Sequence, residues 1–150
     1  MPTSTISGLL LWVMLVIAHW KMFVKAGEAG WKAIIPIYSD YVLFKLVWYK
    51  KSFFIYYGSI VGFVLFTIFS GQIGIDSAGS LVLMEASNQL FAILAYVCSI
   101  LILIYTVMLA IRTSFAYGKS ALFAAGLLIL PSIFSLILGF GKAEYKGAPA

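Results

Sequence analysis

Four apolar runs, each close to the length of a membrane span, dominate this sequence: residues 6–23, 52–70, 90–111 and 121–140. A run of about 20 apolar residues crosses the ~30 Å hydrocarbon layer as a helix. The third run carries no charged residue at all, and the fourth is interrupted by Pro131. Composition agrees: 63% of the residues are hydrophobic, only 10% are charged, and the mean hydropathy is +1.07. A soluble chain of this length could not hide so much apolar surface in a core of its own. The expected fold class is therefore an all-α membrane protein in one polytopic domain, with about four transmembrane helices. A cleaved leader is not expected from residues 1–23, because MPTST carries no basic n-region and no A-x-A-like site follows the run.

Residues 34–49, IIPIYSDYVLFKLVWY, are apolar enough to enter the bilayer but contain Pro36, Asp40 and Lys45. A charge at the bilayer centre costs about 2.5–3.5 kcal/mol on the insertion scale. A helix lying in the interface, or dipping in and returning, avoids that cost, and Tyr38, Tyr41, Trp48 and Tyr49 suit the headgroup level. This segment is expected to be interfacial or re-entrant. The connection 71–89 reads as an exposed loop whose last part, from about Ser80, starts the third helix early, with Ser80 able to cap it.

Ten basic residues against five acidic ones give +5. In a soluble protein that balance would suggest nucleic acid; between apolar runs it reads as orientation and contact with anionic headgroups, and no nucleic-acid partner is expected. Eight of the ten lie at the C-terminal end of the first run or in the connections after the first and third runs: Lys21, Lys25, Lys32, Lys45, Lys50, Lys51, Arg112 and Lys119. The positive-inside rule then places those loops in the cytoplasm of a bacterial cytoplasmic (inner) membrane, with both termini outside. If the Pro131 segment turns back instead of crossing, Lys142 and Lys146 join the same side and all ten lie together.

Cys98 and His19 are the only residues of their types, too few ligands for a zinc site. A His19–Met108 haem pairing is conceivable, yet neither metal nor cofactor is expected. Tyr117-Gly118-Lys119-Ser120 resembles the end of a phosphate-binding loop, but the upstream glycine is missing and no strand precedes it, which excludes nucleotide binding.

Two stretches are richer in Gly, Lys and aromatic residues than anchoring requires, 23–38 and 115–147. Each follows an apolar run with a Phe, a Gly–Lys neighbourhood, an aromatic eight positions after that Phe (Trp31, Phe123), and a Pro inside an apolar run. That pattern hints at a duplicated unit, although Gly and Pro are nine positions apart in one and thirteen in the other. The motif K-A-G-x-x-G-W-x-x-x-I-P-x-Y (25–38) and the pattern F-x-x-G-K-S…G-L-x-x-L-P-x-I-F…G-F-G…Y-x-G (115–147) resemble a family of small bacterial membrane proteins known as a domain of unknown function. Members of that family are sometimes found ahead of a signal peptidase I catalytic domain. The resemblance implies association with a membrane enzyme, not its chemistry. A signal peptidase needs a Ser nucleophile beside a neutral Lys, in a family motif that begins Ser-Met, and the sequence contains no Ser-Met pair. Lys119 and Ser120 are neighbours that would not face each other on a helix.

Candidate contacts have two readings each. Lys25, Gly27, Gly30, Trp31 and Lys32 could form a turn that binds a lipid phosphate; a helix stop, an aromatic anchor and cytoplasmic lysines explain the same residues. Asp40 and Lys45 could be functional intramembrane charges or could reach water from an interfacial helix. Pro36, Tyr38, Tyr117, Gly118, Lys119 and Pro131 complete the candidates for lipid or partner contact. Gly58 and Gly62 allow close helix packing, within the chain, in a homo-oligomer or against a partner. The expected role is a non-enzymatic accessory or structural subunit of a membrane assembly. The alternatives are a minimal oligomeric transporter or channel, with a funnel lined by Asp40, Lys45 or Tyr117, and a lipid-binding protein.

Overall fold

The computed structural model describes residues 3–71, 73–75, 80–83 and 88–148. Six α-helices lie among them: α1 (Thr3–Lys25), α2 (Pro36–Val47), α3 (Lys50–Phe69), α4 (Gln89–Ala116), α5 (Ala121–Ile129) and α6 (Pro131–Phe140). A 3-10 helix, Gly30–Ile34, joins α1 to α2, and two short strands, β1 (Ile73–Ile75) and β2 (Leu81–Leu83), join α3 to α4. Among the described residues three helices are long and apolar enough to cross a membrane, within Gly8–Lys25, Lys50–Phe69 and Gln89–Ala116. They account for three of the four expected spans.

The chain forms two compact units, Phe54–Thr106 and a second made of Met1–Phe53 with Val107–Ala150. The first contains most of α3 and α4. Gly62 faces Cys98, close enough that an added Cβ would stand 3.2 Å from its Sγ, and Phe66 and Phe69 pack on Phe91. Hydroxyls within these helices bond back to their own backbone: Ser59 to the Ile55 carbonyl (2.8 Å), Thr67 to Phe63 (2.6 Å) and Thr106 to Ile102 (2.8 Å). In lipid that local bond is what lets a Ser or Thr sit in a span, since water is absent to satisfy it. The two strands pair antiparallel, with Ile73 opposite Leu83 and Ile75 opposite Leu81. The early start of the third helix at Ser80 is therefore corrected. Residues 81–83 find a strand partner instead, and the helix begins at Gln89, with the Asn88 side chain accepting from the Leu90 N–H at 3.2 Å. At its other end α4 continues past Ile111 to Ala116; at 1.5 Å per residue its 28 residues measure about 42 Å, more than the hydrocarbon layer requires.

The second unit holds all ten basic residues. Its core gathers Met22, Phe23, Val42, Val47, Tyr117 and Leu138. Here the expected span 121–140 is replaced by two helices of nine and ten residues, each too short to cross. Pro131 lacks an N–H and cannot continue α5, so it opens α6 at its first turn after a break at Leu130. The segment then doubles back. Phe123 and Phe134 would lie about 16 Å apart along a continuous helix, yet their rings meet edge to face at 4.9 Å. Beyond α6 the chain returns to the end of α4, where the Lys146 N–H donates to the Ala116 carbonyl at 2.7 Å. The two ends of the hairpin therefore lie side by side.

The segment 34–49 follows the same logic. Pro36 opens α2, whose 12 residues span only about 18 Å. The chain breaks again at Trp48, and Phe53 of α3 packs edge-on against Tyr41 and Phe44 of α2.

The two Gly-rich motifs are built alike. In the first, Gly27 (φ +77°) donates to the Val24 carbonyl and Glu28 to that of Phe23. In the second, Gly118 (φ +66°) donates to Phe115 and Lys119 to Ser114. Both are Schellman stops, in which glycine adopts a left-handed conformation that other residues resist. Each stop leads to a short helix starting three residues on, then to Pro as the first residue of the next helix. The middle helix has five residues in one motif and nine in the other, which accounts for the unequal Gly-to-Pro spacing. Aligned on these glycines, Phe23 corresponds to Ser114 rather than Phe115, so the register set by the aromatics is off by one.

Candidate functional site: the basic end of the helices

The motif side chains converge where α1, α4 and α6 end. Lys25, in the last turn of α1, donates from its ammonium to the carbonyls of Leu138 (2.7 Å) and Gly141 (2.8 Å). These lie at the C-terminus of α6, where carbonyls lack helical partners and the helix dipole favours a cation. Gly139 makes that approach possible: an added Cβ would stand 2.6 Å from the Ala18 carbonyl oxygen. Lys21 lies over the Phe140 ring, 4.1 Å from its centroid.

Glu28 is the acidic centre of the first motif. Its carboxylate accepts from Lys32 (2.5 Å) on one oxygen and from Lys45 (2.6 Å) on the other, tying the 3-10 helix to α2. The two ammonium groups hold the carboxyl below its usual range, and the carboxylate in turn raises Lys45. Gly30 is buried with the Trp20 indole against it, leaving no room for a side chain. Trp31 and Tyr38 are exposed and stack in sequence on the half-buried Tyr41, with ring centroids 6.2 and 5.9 Å apart.

Tyr117 is fully buried, and its hydroxyl donates to the Met22 carbonyl at 2.9 Å. Tyr145 packs edge-on against it and donates to the Leu46 carbonyl at 2.6 Å, which fastens the C-terminal tail to α2. Burial pushes both phenols above their ordinary range. The Lys146 side chain lies across Gly118, and Lys119 sits near the Phe123 ring, 6.0 Å from its centroid. Arg112 lies over Trp48 at 4.9 Å.

The expected contacts thus separate. The N–H groups of Gly27 and Glu28 are directed back into α1 as a helix stop, Lys32 pairs with Glu28, and Lys25 gives two of its N–H groups to α6. Asp40, Lys45 and Tyr117 lie in different surroundings. Tyr117 is core and Lys45 belongs to the Glu28 bridge, while Asp40 lines a cleft of about 210 Å³ with His19, Ser39, Trp12 and Pro36. His19 Nδ1 lies 2.9 Å from the Leu15 carbonyl, which can only accept, so this nitrogen is the donor. Gly62 faces Cys98, whereas Gly58 is exposed with open space where a Cβ would be.

Glu28, Tyr145, Gly139 and Lys21 are not among the candidate contacts that the sequence singles out. For Glu28 the signal was present, since Glu followed by Lys four positions later is a recognisable pair. The others depend on contacts across more than 90 positions: Tyr145 with Leu46, Gly139 with Ala18 and Lys21 with Phe140. Among the described residues no group of three or more His, Cys, Asp or Glu side chains is placed to hold a metal ion. Comparison of the chain with protein-family models, with curated proteins and with solved structures gives no match.

Proposed function

We propose that this chain is a non-enzymatic integral membrane protein of the bacterial cytoplasmic membrane, acting as an accessory or structural subunit of a larger assembly. In this reading α1, α3 and α4 cross the bilayer. α2 and the α5–α6 hairpin enter from the basic side and return, and that side is cytoplasmic by the positive-inside rule. One observation carries the reading: motif side chains are engaged in holding one end of the protein together. Lys25 caps α6, Glu28 ties Lys32 to Lys45, and Tyr117 joins α4 to α1. The product is a rigid basic platform facing anionic headgroups, with apolar helix faces for lipid or for a partner's helices. The family resemblance, with its association with another membrane enzyme, points the same way.

Purification of the full chain from native membranes in mild detergent, after crosslinking from the exposed Trp31 and Tyr38, tests this. A reproducible partner membrane protein is expected; a lone monomer with no crosslinked partner would count decisively against an accessory role.

A second reading, an oligomeric transporter or channel, is favoured by the cleft that gathers His19, Ser39 and Asp40 beside a spanning helix. Proteoliposomes that neither leak nor transport across a broad panel of solutes would remove it.

A further inference from the structure

Two shallow grooves meet at Lys25. One, of about 480 Å³, runs between α1 and α6 and is walled by Trp20, Lys21, Val24, Phe140 and Gly141. The other, of about 500 Å³, continues along the tail past Lys142, Glu144 and Tyr145. Both are of a size that takes a small molecule or a lipid headgroup. Their chemistry is divided. Trp20, Val24 and Phe140 are exposed apolar surfaces beside the end of a spanning helix. Lys21, Lys25 and Lys142 bring three cations to the rim against the single carboxylate of Glu144. The Lys25 ammonium has three N–H donors and spends two on the end of α6, so one remains to point at a ligand.

We propose that this pair of grooves is a binding site for one anionic phospholipid. The phosphodiester sits among Lys21, Lys25 and Lys142, and an acyl chain lies along Trp20, Val24 and Phe140. The proposal rests on the basic side facing a membrane surface, and goes beyond it by assigning a discrete site rather than diffuse attraction. An acyl chain explains the apolar wall, which a free phosphate would leave bare.

Native mass spectrometry of the delipidated full chain in detergent, titrated with phosphatidylglycerol or phosphatidylcholine, tests the site. The variants are Lys21→Gln with Lys142→Gln, which spares the structural Lys25, and Lys50→Gln with Lys51→Gln, which removes the same charge outside the grooves. The native chain should hold a single phosphatidylglycerol about 25-fold more tightly than phosphatidylcholine, since each cation near an anionic headgroup contributes roughly a fivefold gain and Glu144 offsets one of the three. The groove variant should lose most of that preference, the Lys50/Lys51 variant should keep it, and millimolar inorganic phosphate should leave the lipid in place. Equal losses in both variants would overturn the site while leaving the basic platform standing. Displacement by inorganic phosphate would overturn the lipid as ligand. A native chain with no preference would overturn both the site and the headgroup-facing platform.

Discussion

The Tyr117 hydroxyl and the Met22 carbonyl, 2.9 Å apart, join the residue after α4 to the last turns of α1 across 95 positions of sequence. The same carbonyl accepts from the Ala26 N–H at 3.1 Å, so it keeps a partner if the phenol is lost. Tyr117→Phe should therefore destabilise by about 1 kcal/mol, the ordinary value of one net hydrogen bond, rather than by the larger penalty of an orphaned buried group. Thermal unfolding in detergent measures this. The phenols of Tyr117 and Tyr145 are raised by burial, so their contribution is complete below the ordinary value of about 10 and is lost as the pH climbs through their folded-state values. The alkaline loss of stability should be shallower in Tyr117→Phe.

Gly139 and Gly58 should respond oppositely to alanine. At Gly139 the new methyl meets the backbone of Ala18, which cannot rotate away, so α1 and α6 must part; a cost of about 1–3 kcal/mol is expected. At Gly58 nothing lies within 4 Å, and alanine in an exposed helical position should be neutral or stabilising by about 0.5–1 kcal/mol. Paired melting curves in one detergent compare them directly.

Glu28→Gln removes both ion pairs that tie the 3-10 helix to α2, Lys32–Glu28 and Lys45–Glu28. Lys45 is 41% exposed, which limits the loss to about 1 kcal/mol in total. Because the carboxyl is held below its ordinary value of 4.5, its contribution is present above that value and fades as the pH falls through the lower folded-state value. The native chain should lose stability over that acidic range more steeply than Glu28→Gln, whose curve lacks this component. Denaturation profiles below pH 5 check the sign.

The returning hairpin predicts that residues 119 and 142 face the same compartment. With Cys98 replaced by Ser, single cysteines at Lys119→Cys and Lys142→Cys should both react with a membrane-impermeant maleimide from one side of oriented vesicles. Labelling from opposite sides would mean that 121–140 crosses.

The sequence by itself determined the solvent, the helices and most of their ends. Hydropathy and run length are local properties, and they placed three long apolar helices to within a few residues at α1, α3 and the start of α4. Pro36 and Pro131 were legible as breaks, because a residue without an N–H cannot carry a helix through. Tertiary structure decided what the breaks were for. Nothing local tells an interrupted span from a hairpin; the outcome rests on Phe134 meeting Phe123 and on the Lys146 N–H finding the Ala116 carbonyl. Residues 81–83 became a strand because 73–75 offered edge hydrogen bonds, a partner that helix-cap reasoning at Ser80 could not see. The lysines divided in the same way. Their crowding toward one side was written in the chain, but whether an ammonium faces water, a carboxylate or a helix end depends on groups brought near from distant positions. Lys32 and Lys45 went to Glu28, and Lys25 went to the carbonyls of α6. A cation goes to the nearest unsatisfied oxygens, and only the folded chain determines which oxygens those are.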